Sequence, residues 1–390
     1  MNNFIFHSPT KVYFGSGYEK QIGALLKEHG FHKPFIVYGG GSIKRSGLYD
    51  IVLASLKEAG LSWAELGGVQ PNPLLSLAKE GILRFRAEQC DVLLAVGGGS
   101  AIDTAKVIGL GVPYDGDVWD FWCGKADPVA GIPTAVILTI AAAGSETSES
   151  AVITNEDGMQ KRGRNSIFNR PIFSIMNPEL TYTLPSYQTA CGAVDIMMHT
   201  LERYITLPGT VGITDQIAEA VLNTVRKYAP IAIAHPDNYE ARAELMWAGS
   251  LSHNDLTGCG HASVFINHKI GHELSAKYGT AHGASLAIAF PAWAKYCYQY
   301  NIPRFAQYAV RVWGCEMDYV NPETTALAGI AATEAFFRSI GMPVRLSDIG
   351  IGESEIPDLA SRITSGGTGT VQSYITCGMQ EFTDILRLAL

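Results

Sequence analysis

The run Val92-Leu93-Leu94-Ala95-Val96-Gly97-Gly98-Gly99-Ser100-Ala101-Ile102-Asp103-Thr104-Ala105-Lys106 sets the architecture. Five apolar residues in succession read as a strand covered on both faces, because a half-exposed strand would alternate with polar residues. Three glycines end the strand, and a helix is expected from Ser100 to about Leu110. Ser100 is placed to cap that helix, with Asp103 where a capping box carries its acid. Glycines let phosphate oxygens approach the backbone, and a helix start offers free N–H groups and positive dipole character. The run is neither GxGxxG nor a Walker loop. A phosphate cradle and a plain tight turn both remain open on this stretch alone.

Outward from it, short apolar runs alternate with amphipathic segments. Strands are expected at 35–38, 61–66, 134–138, 151–154 and 172–176, with helices at 48–59 and 75–89. That alternation describes a parallel sheet with helices on both faces. After about Pro185 the pattern becomes helical: 186–204, 214–233, 240–255, 284–299, 322–340 and 380–390, with Gly341-Met342-Pro343 as a helix stop. An α/β domain over 1–185 and an all-α domain over 186–390 are therefore expected.

The 390 residues suffice for two cores. The 41 glycines exceed the usual share of about 7%, yet they cluster at a few points, as tight backbone approaches would. A net charge of −8 gives no field for nucleic acid or an anionic membrane. Residues 1–7 show no basic region ahead of an apolar run, and the longest uncharged apolar stretch, about 135–143, is too short to span a bilayer. Seven scattered cysteines without a CxxC pair read as reduced thiols, which points to the cytoplasm.

A second glycine run, Gly39-Gly40-Gly41-Ser42-Ile43-Lys44-Arg45, also ends a strand. Sites for NAD place an acid there to grip the ribose 2′-hydroxyl. Here only glycine and serine stand at the strand end, with two cations beyond, so the loop favours NADP(H) over NAD(H). Asp195 and His199, four apart on a helix, share one face. Five of the ten histidines, His253, His261, His268, His272 and His282, fall within 30 residues. Imidazoles with a carboxylate suit Zn, Fe, Cu or Ni and extend toward harder ions.

On these residues the chain resembles the iron-containing (group III) alcohol dehydrogenase family, in its NADPH-dependent butanol dehydrogenase and aldehyde reductase branch. The resemblance runs through Phe14-Gly15, Gly97-Gly98-Gly99-Ser100 with Asp103 and Lys106, and Gly144-Ser145-Glu146. It continues through Gly192-x-x-Asp195-x-x-x-His199, His268-x-x-x-His272, His282 and Gly341-Met342-Pro343. It implies a Rossmann-like N-terminal domain and an all-α C-terminal domain, a dehydroquinate synthase-like fold with cofactor and metal in a cleft. It implies Asp195, His199, His268 and His282 as metal ligands. Cofactor contacts carry over to Gly40, Gly41, Ser42, Asn72, Gly97, Gly98, Gly99, Ser100, Asp103, Thr139, Ser148, Thr181 and Leu184. His272 and Lys161 carry over as catalytic candidates. Ala143 and Asn177 depart from the family pattern, which commonly has threonine and aspartate at these places.

One Asp and three His would close a tetrahedral zinc site, whereas Fe2+ takes more ligands readily, so iron is expected and Zn2+ is the alternative. The implied chemistry interconverts primary alcohols and aldehydes of short to medium chain by hydride transfer with NADP(H). His272 either supplies the proton or orients a ligand from behind. Trp119, Phe121, Trp122, Trp247 and Phe265 are candidates for an apolar substrate pocket. The expected assembly is a homodimer acting on a small molecule. Rival readings are a polyol or diol dehydrogenase, a lyase of the same fold, and a non-enzymatic metal- or nucleotide-binding protein.

Overall fold

The computed structural model describes residues 1–206 and 211–390. The chain divides into two compact units, one made of His7–Leu184 with Pro236–Ser250, the other of Met1–Phe6, Pro185–His235 and Leu251–Leu390.

The first unit is built on six parallel strands: β1 (Lys11–Phe14), β2 (Pro34–Gly39), β3 (Ala64–Val69), β4 (Val92–Gly97), β5 (Thr134–Leu138) and β8 (Phe173–Met176). Their order is β1-β8-β5-β4-β2-β3. Two further strands, β6 (Ser150–Asn155) and β7 (Gln160–Asn165), form a separate antiparallel hairpin. The expected strand at 151–154 therefore exists but lies outside the parallel sheet.

Every residue of β4 is buried. Leu93 and Ala95 face one apolar cluster, while Val92, Leu94 and Val96 face another. The first cluster is filled by α4 (Leu75–Glu88) and α5 (Gly99–Gly111), through Leu75, Ile82, Phe85, Ile102 and Ile108. The second is filled by α1 (Ile22–Glu28) and α3 (Leu48–Glu58), through Ile22, Leu26, Val52 and Leu56. Each such side chain contributes about 1.5–3 kcal/mol when fully buried. A sheet coated on both sides needs no polar alternation, which is why β4 is apolar throughout.

From β2 the chain steps outward to β3, then returns to β4 on the other side of β2, and continues to β5 and β8. The order reverses between β2 and β4. In open parallel sheets that switch point leaves a crevice beyond the strand carboxyl ends, where ligands bind. Both glycine runs lie at those ends.

Three local expectations are corrected. The strand expected at 61–66 runs from Ala64 to Val69, because Phe35, Ile36 and Val37 of β2 pair with Ala64, Glu65 and Leu66. Pairing carries it through Gly67-Gly68 despite their poor strand propensity. Helix α5 begins at Gly99 with Gly98 as its N-cap, so Ser100 sits inside the first turn and caps nothing. Asp103 is likewise no capping-box acid: it accepts from Ser145 Oγ at 2.7 Å and Val152 N at 3.0 Å.

Asn177, a departure from the family pattern, has a local reason. Its Oδ1 accepts from Glu179 N at 3.0 Å and its amide donates to the buried Glu19 at 3.2 Å. Aspartate could do the first and would repel at the second.

The second unit is helical. Its long members are α7 (Ser186–Tyr204), α8 (Gly212–Ala234), α10 (Ile266–Tyr278), α11 (His282–Cys297), α12 (Ile302–Trp313) and α13 (Pro322–Ser339), with α14 (Ile356–Ile363) and α15 (Met379–Leu388) near the end. The remaining helices, α2 (Ser42–Arg45), α6 (Trp119–Trp122) and most of α9 (Tyr239–His253), belong to the sheet unit. The sequence pattern missed α10 and began α11 two residues late. Helix α7 is buried at every residue from Thr189 to Tyr204, including Asp195, His199, Glu202 and Arg203. Charged groups are rarely buried unless paired or bound to an ion.

Candidate active site

On α7, Asp195, His199 and Glu202 stand at i, i+4 and i+7, along one face. Helix α10 carries His268 and His272 one turn apart, and His282 is the first residue of α11. These elements bring three imidazole Nε2 atoms around a single carboxylate oxygen. Asp195 Oδ1 lies 3.5 Å from His199, 3.8 Å from His268 and 3.7 Å from His282. Donors about 2.0–2.1 Å from a tetrahedral ion stand about 3.4 Å from one another, so these gaps match the edges of a coordination shell. Asp195 Oδ1 and His268 Nε2 are buried and take no hydrogen bond. An ionised oxygen and a ring nitrogen left so would cost several kcal/mol without a cation between them. The donor set fits a divalent metal.

Electrostatics agree. Burial pushes the His199 imidazole well below its usual value, and His253, His268 and Arg203 add to the effect. It is therefore neutral, as a ligand must be. Burial also works against charge on His268, but Glu202 and Asp195 outweigh it and raise the ring to about 9 in the metal-free chain. A cation at this place replaces a proton.

Glu202 is the residue that sequence reasoning missed. Its carboxylate contacts His268 Nδ1 and accepts from Asn267 N. The available signal was its spacing from Asp195, two turns along one face. Beside it, Arg203 donates to His199 O at 2.6 Å and Ser252 O at 3.1 Å, and sits 2.8 Å from His253 Nδ1. Burial lowers this guanidinium to about 10, against the pull of Asp255 and Glu202. His272 is half-buried beside the donors, its ring centroid 5.5 Å from His282 and 6.3 Å from His268.

The cofactor candidates gather at the carboxyl ends of the sheet strands. Gly40, Gly41 and Ser42 follow β2, Asn72 follows β3, and Gly97–Ser100 lead from β4 into α5. Thr139 follows β5 and ties its N–H to Gly97 O at 3.0 Å. Thr181 and Leu184 follow β8, linked by a 3.1 Å bond from Leu184 N to Thr181 O. Gly41 has φ 111°, which a side chain would resist, and a Cβ on Gly98 would fall 2.2 Å from Ile140 Cγ2. Both positions therefore require glycine.

Asp103 and the fully buried Lys106 strap down the segment after β5. Lys106 Nζ donates to Ser145 O at 2.7 Å, Ser150 O at 2.8 Å and Ser148 O at 3.0 Å, with Ser148 Oγ at 3.5 Å. Burial lowers Lys106 to about 8, although Asp103 and Glu146 oppose it. Lys161, on β7, donates to Asn72 Oδ1 at 2.8 Å and so stands with the nucleotide candidates of the sheet unit. Lys44 lies over the rings of Tyr49, at 4.5 Å, and Tyr38, at 5.0 Å.

The aromatic candidates separate. Phe121 and Trp122 are core residues of the sheet unit, with Trp119 packed against the same cluster, so these three do not form a substrate wall. Trp247 packs on Phe14. Phe265 alone among them adjoins the donors, 5.2 Å from the His268 ring and 6.0 Å from His199.

Comparison with known proteins shows the family. Residues 9–178 match the family model described as iron-containing alcohol dehydrogenase, and residues 189–390 match its C-terminal counterpart. The chain is 41% identical over 388 residues to NADH-dependent butanol dehydrogenase A of Clostridium acetobutylicum, covering 99% of each. It is 37% identical over 373 residues to the NADPH-dependent aldehyde reductase YqhD of Escherichia coli, covering 94% of each. The crystal structure of NADH-dependent butanol dehydrogenase A from Thermotoga maritima superposes with a TM-score of 0.96 at 39% identity, over 100% of this chain and 99% of that one.

Proposed function

The chain belongs to the iron-containing alcohol dehydrogenase family, and from that premise we propose that it interconverts short-to-medium primary alcohols and aldehydes with NADP(H). The observation that carries this reading is the set of three imidazoles around the unpartnered Asp195 Oδ1. Asp195, His199, His268 and His282 hold the ion, with iron(II) preferred to zinc because four protein donors leave a tetrahedral ion no place for substrate. When bound, the metal supplies Lewis acidity at the substrate oxygen, and the nicotinamide supplies or accepts the hydride.

Residues 1–185 serve the nucleotide and residues 186–390 the metal. Backbone N–H groups of Gly98, Gly99 and Ser100, at the start of α5, receive the pyrophosphate. Lys106, through Ser145 and Ser148, keeps the neighbouring strap in place. The end of β2 carries no carboxylate, which leaves room for a 2′-phosphate near Arg45; the names of the two relatives divide between NADH and NADPH, so the preference rests on this loop. His272, beside His282, moves the proton that reduction of an aldehyde consumes.

The test is His268→Ala. It should lose bound iron and NADPH-linked reduction of butanal while keeping its circular dichroism. A folded variant with parental turnover would remove the metal from the mechanism.

A further inference from the structure

We infer that Glu202 is the positioning residue that fixes the ring of His268 and supplies the second negative charge of the metal site, an inference that rests on the reading of these donors as a metal centre. An ionised carboxylate can only accept, so a ring nitrogen facing it must carry a hydrogen. Glu202 Oε2 faces His268 Nδ1, so a cation that displaces the other ring proton meets the lone pair of Nε2, the atom 3.8 Å from Asp195 Oδ1. The other oxygen, Oε1, accepts from Asn267 N, so the carboxylate is held at two points and cannot swing away. Glu202 is itself buried.

The charges around the donors can be counted. Asp195 and Glu202 bring two negatives. Arg203 brings one positive, offset by Asp255, whose Oδ1 lies 3.9 Å from Nη2. With a cation in place of the His268 proton the histidines are neutral and add nothing, so the donors carry about two negative charges and a divalent cation neutralises them. A carboxylate behind a ligating imidazole fixes its orientation and raises its basicity, and loss of such a partner weakens metal binding about 10–100-fold.

Glu202 also accepts from the N–H of Asn267 in the first turn of α10, a contact that serves structure alone. Glu202→Gln separates the two, because the amide oxygen can still serve that N–H while the charge is gone. The full chain, stripped of metal, would be titrated with cobalt(II) against a chelator, alongside thermal unfolding. Expected are a near-parental melting temperature and a roughly tenfold or greater loss of cobalt affinity. In a His268→Ala background the same change should cost less cobalt affinity than in the parent, because only the charge and no ring orientation is then lost. Equal affinity for parent and Glu202→Gln, or an equal penalty with His268 absent, would overturn the inference. Should the parent itself bind no cobalt, the metal-centre reading falls and this one with it; should the parent bind and the variant match it, only this one falls.

Discussion

Gly283→Ala tests how tightly α7 and α11, the helices that carry Asp195, His199 and His282, pack against each other. Gly283 follows His282 at the start of α11. An added Cβ would lie 2.0 Å from the carbonyl oxygen of Cys191 on α7, and 2.6 Å from its carbon. The obstacle is backbone, so no side chain can rotate away. Reaching even 3.0 Å means that α11 retreats from α7 by about 1 Å. Cys191 stands one turn before Asp195, and His282 is next to the intruding methyl, so the retreat falls on that donor pair. Their separation, 3.7 Å, would open toward about 4.7 Å. Two donors about 2.1 Å from one ion can be at most about 4.2 Å apart. One ligand is therefore lost. Cobalt(II) affinity should fall by more than the tenfold to hundredfold that follows loss of a ligand's hydrogen-bonded neighbour. Overpacking should destabilise by about 1–3 kcal/mol, against a gain of about 1 kcal/mol that alanine brings to a helix interior. Gly212→Ala, at the exposed start of α8 with nothing within 4 Å, is the control and should change neither quantity much. A Gly283→Ala protein with parental cobalt affinity and melting temperature would refute the geometry.

Gly40→Asp places a carboxylate where a 2′-phosphate would lie; kcat/KM for NADPH relative to NADH should drop at least about tenfold, since opposing like charges costs several kcal/mol. An unchanged ratio would move the ribose elsewhere. Lys106→Met removes the donor to the carbonyls of Ser145, Ser148 and Ser150 and the charge that offsets half-buried Asp103 and buried Glu146, and should lower stability to urea by at least about 3 kcal/mol. The lysine's own pH dependence follows from its folded value of about 8, against 10.5 in the unfolded chain. Below pH 8 both states hold the proton; between the two values only the unfolded state does, so Lys106's contribution grows more favourable as pH rises through that window. The parent-minus-variant difference in unfolding free energy should therefore increase from pH 8 to 10.5, and a flat difference would contradict the assignment.

What was legible in the sequence and what was not divides along a physical line. A strand covered on both faces must be apolar at every position, so β4 and the turn that follows could be read directly. Asp195 and His199 could be paired because a helix imposes their proximity. His268 and His282 belong to different helices, and no local rule puts them on one ion; only the family resemblance joined them. Helix α10 escaped notice because two histidines, two lysines and a glycine within Ile266–Tyr278 blur its apolar stripe. Asp103 was misread as a cap because its true partners, Ser145 and Val152, lie more than forty residues away.

Glu202 takes its role from burial rather than from its place in the sequence. A glutamate on a helix is ordinarily a solvated group, and its sequence neighbours say nothing else. Burial changes its meaning. Within α7, where every residue from Thr189 to Tyr204 is out of water, Asp195, His199, Glu202 and Arg203 break the apolar rule together and on adjoining turns. A chain selected only for stability would fill such a helix with leucine and alanine. Local rules broken in concert are expected where a fold gives up stability for chemistry. Here the broken rule sets Asp195 and His199 beside His268 and His282, with Glu202 behind the His268 ring.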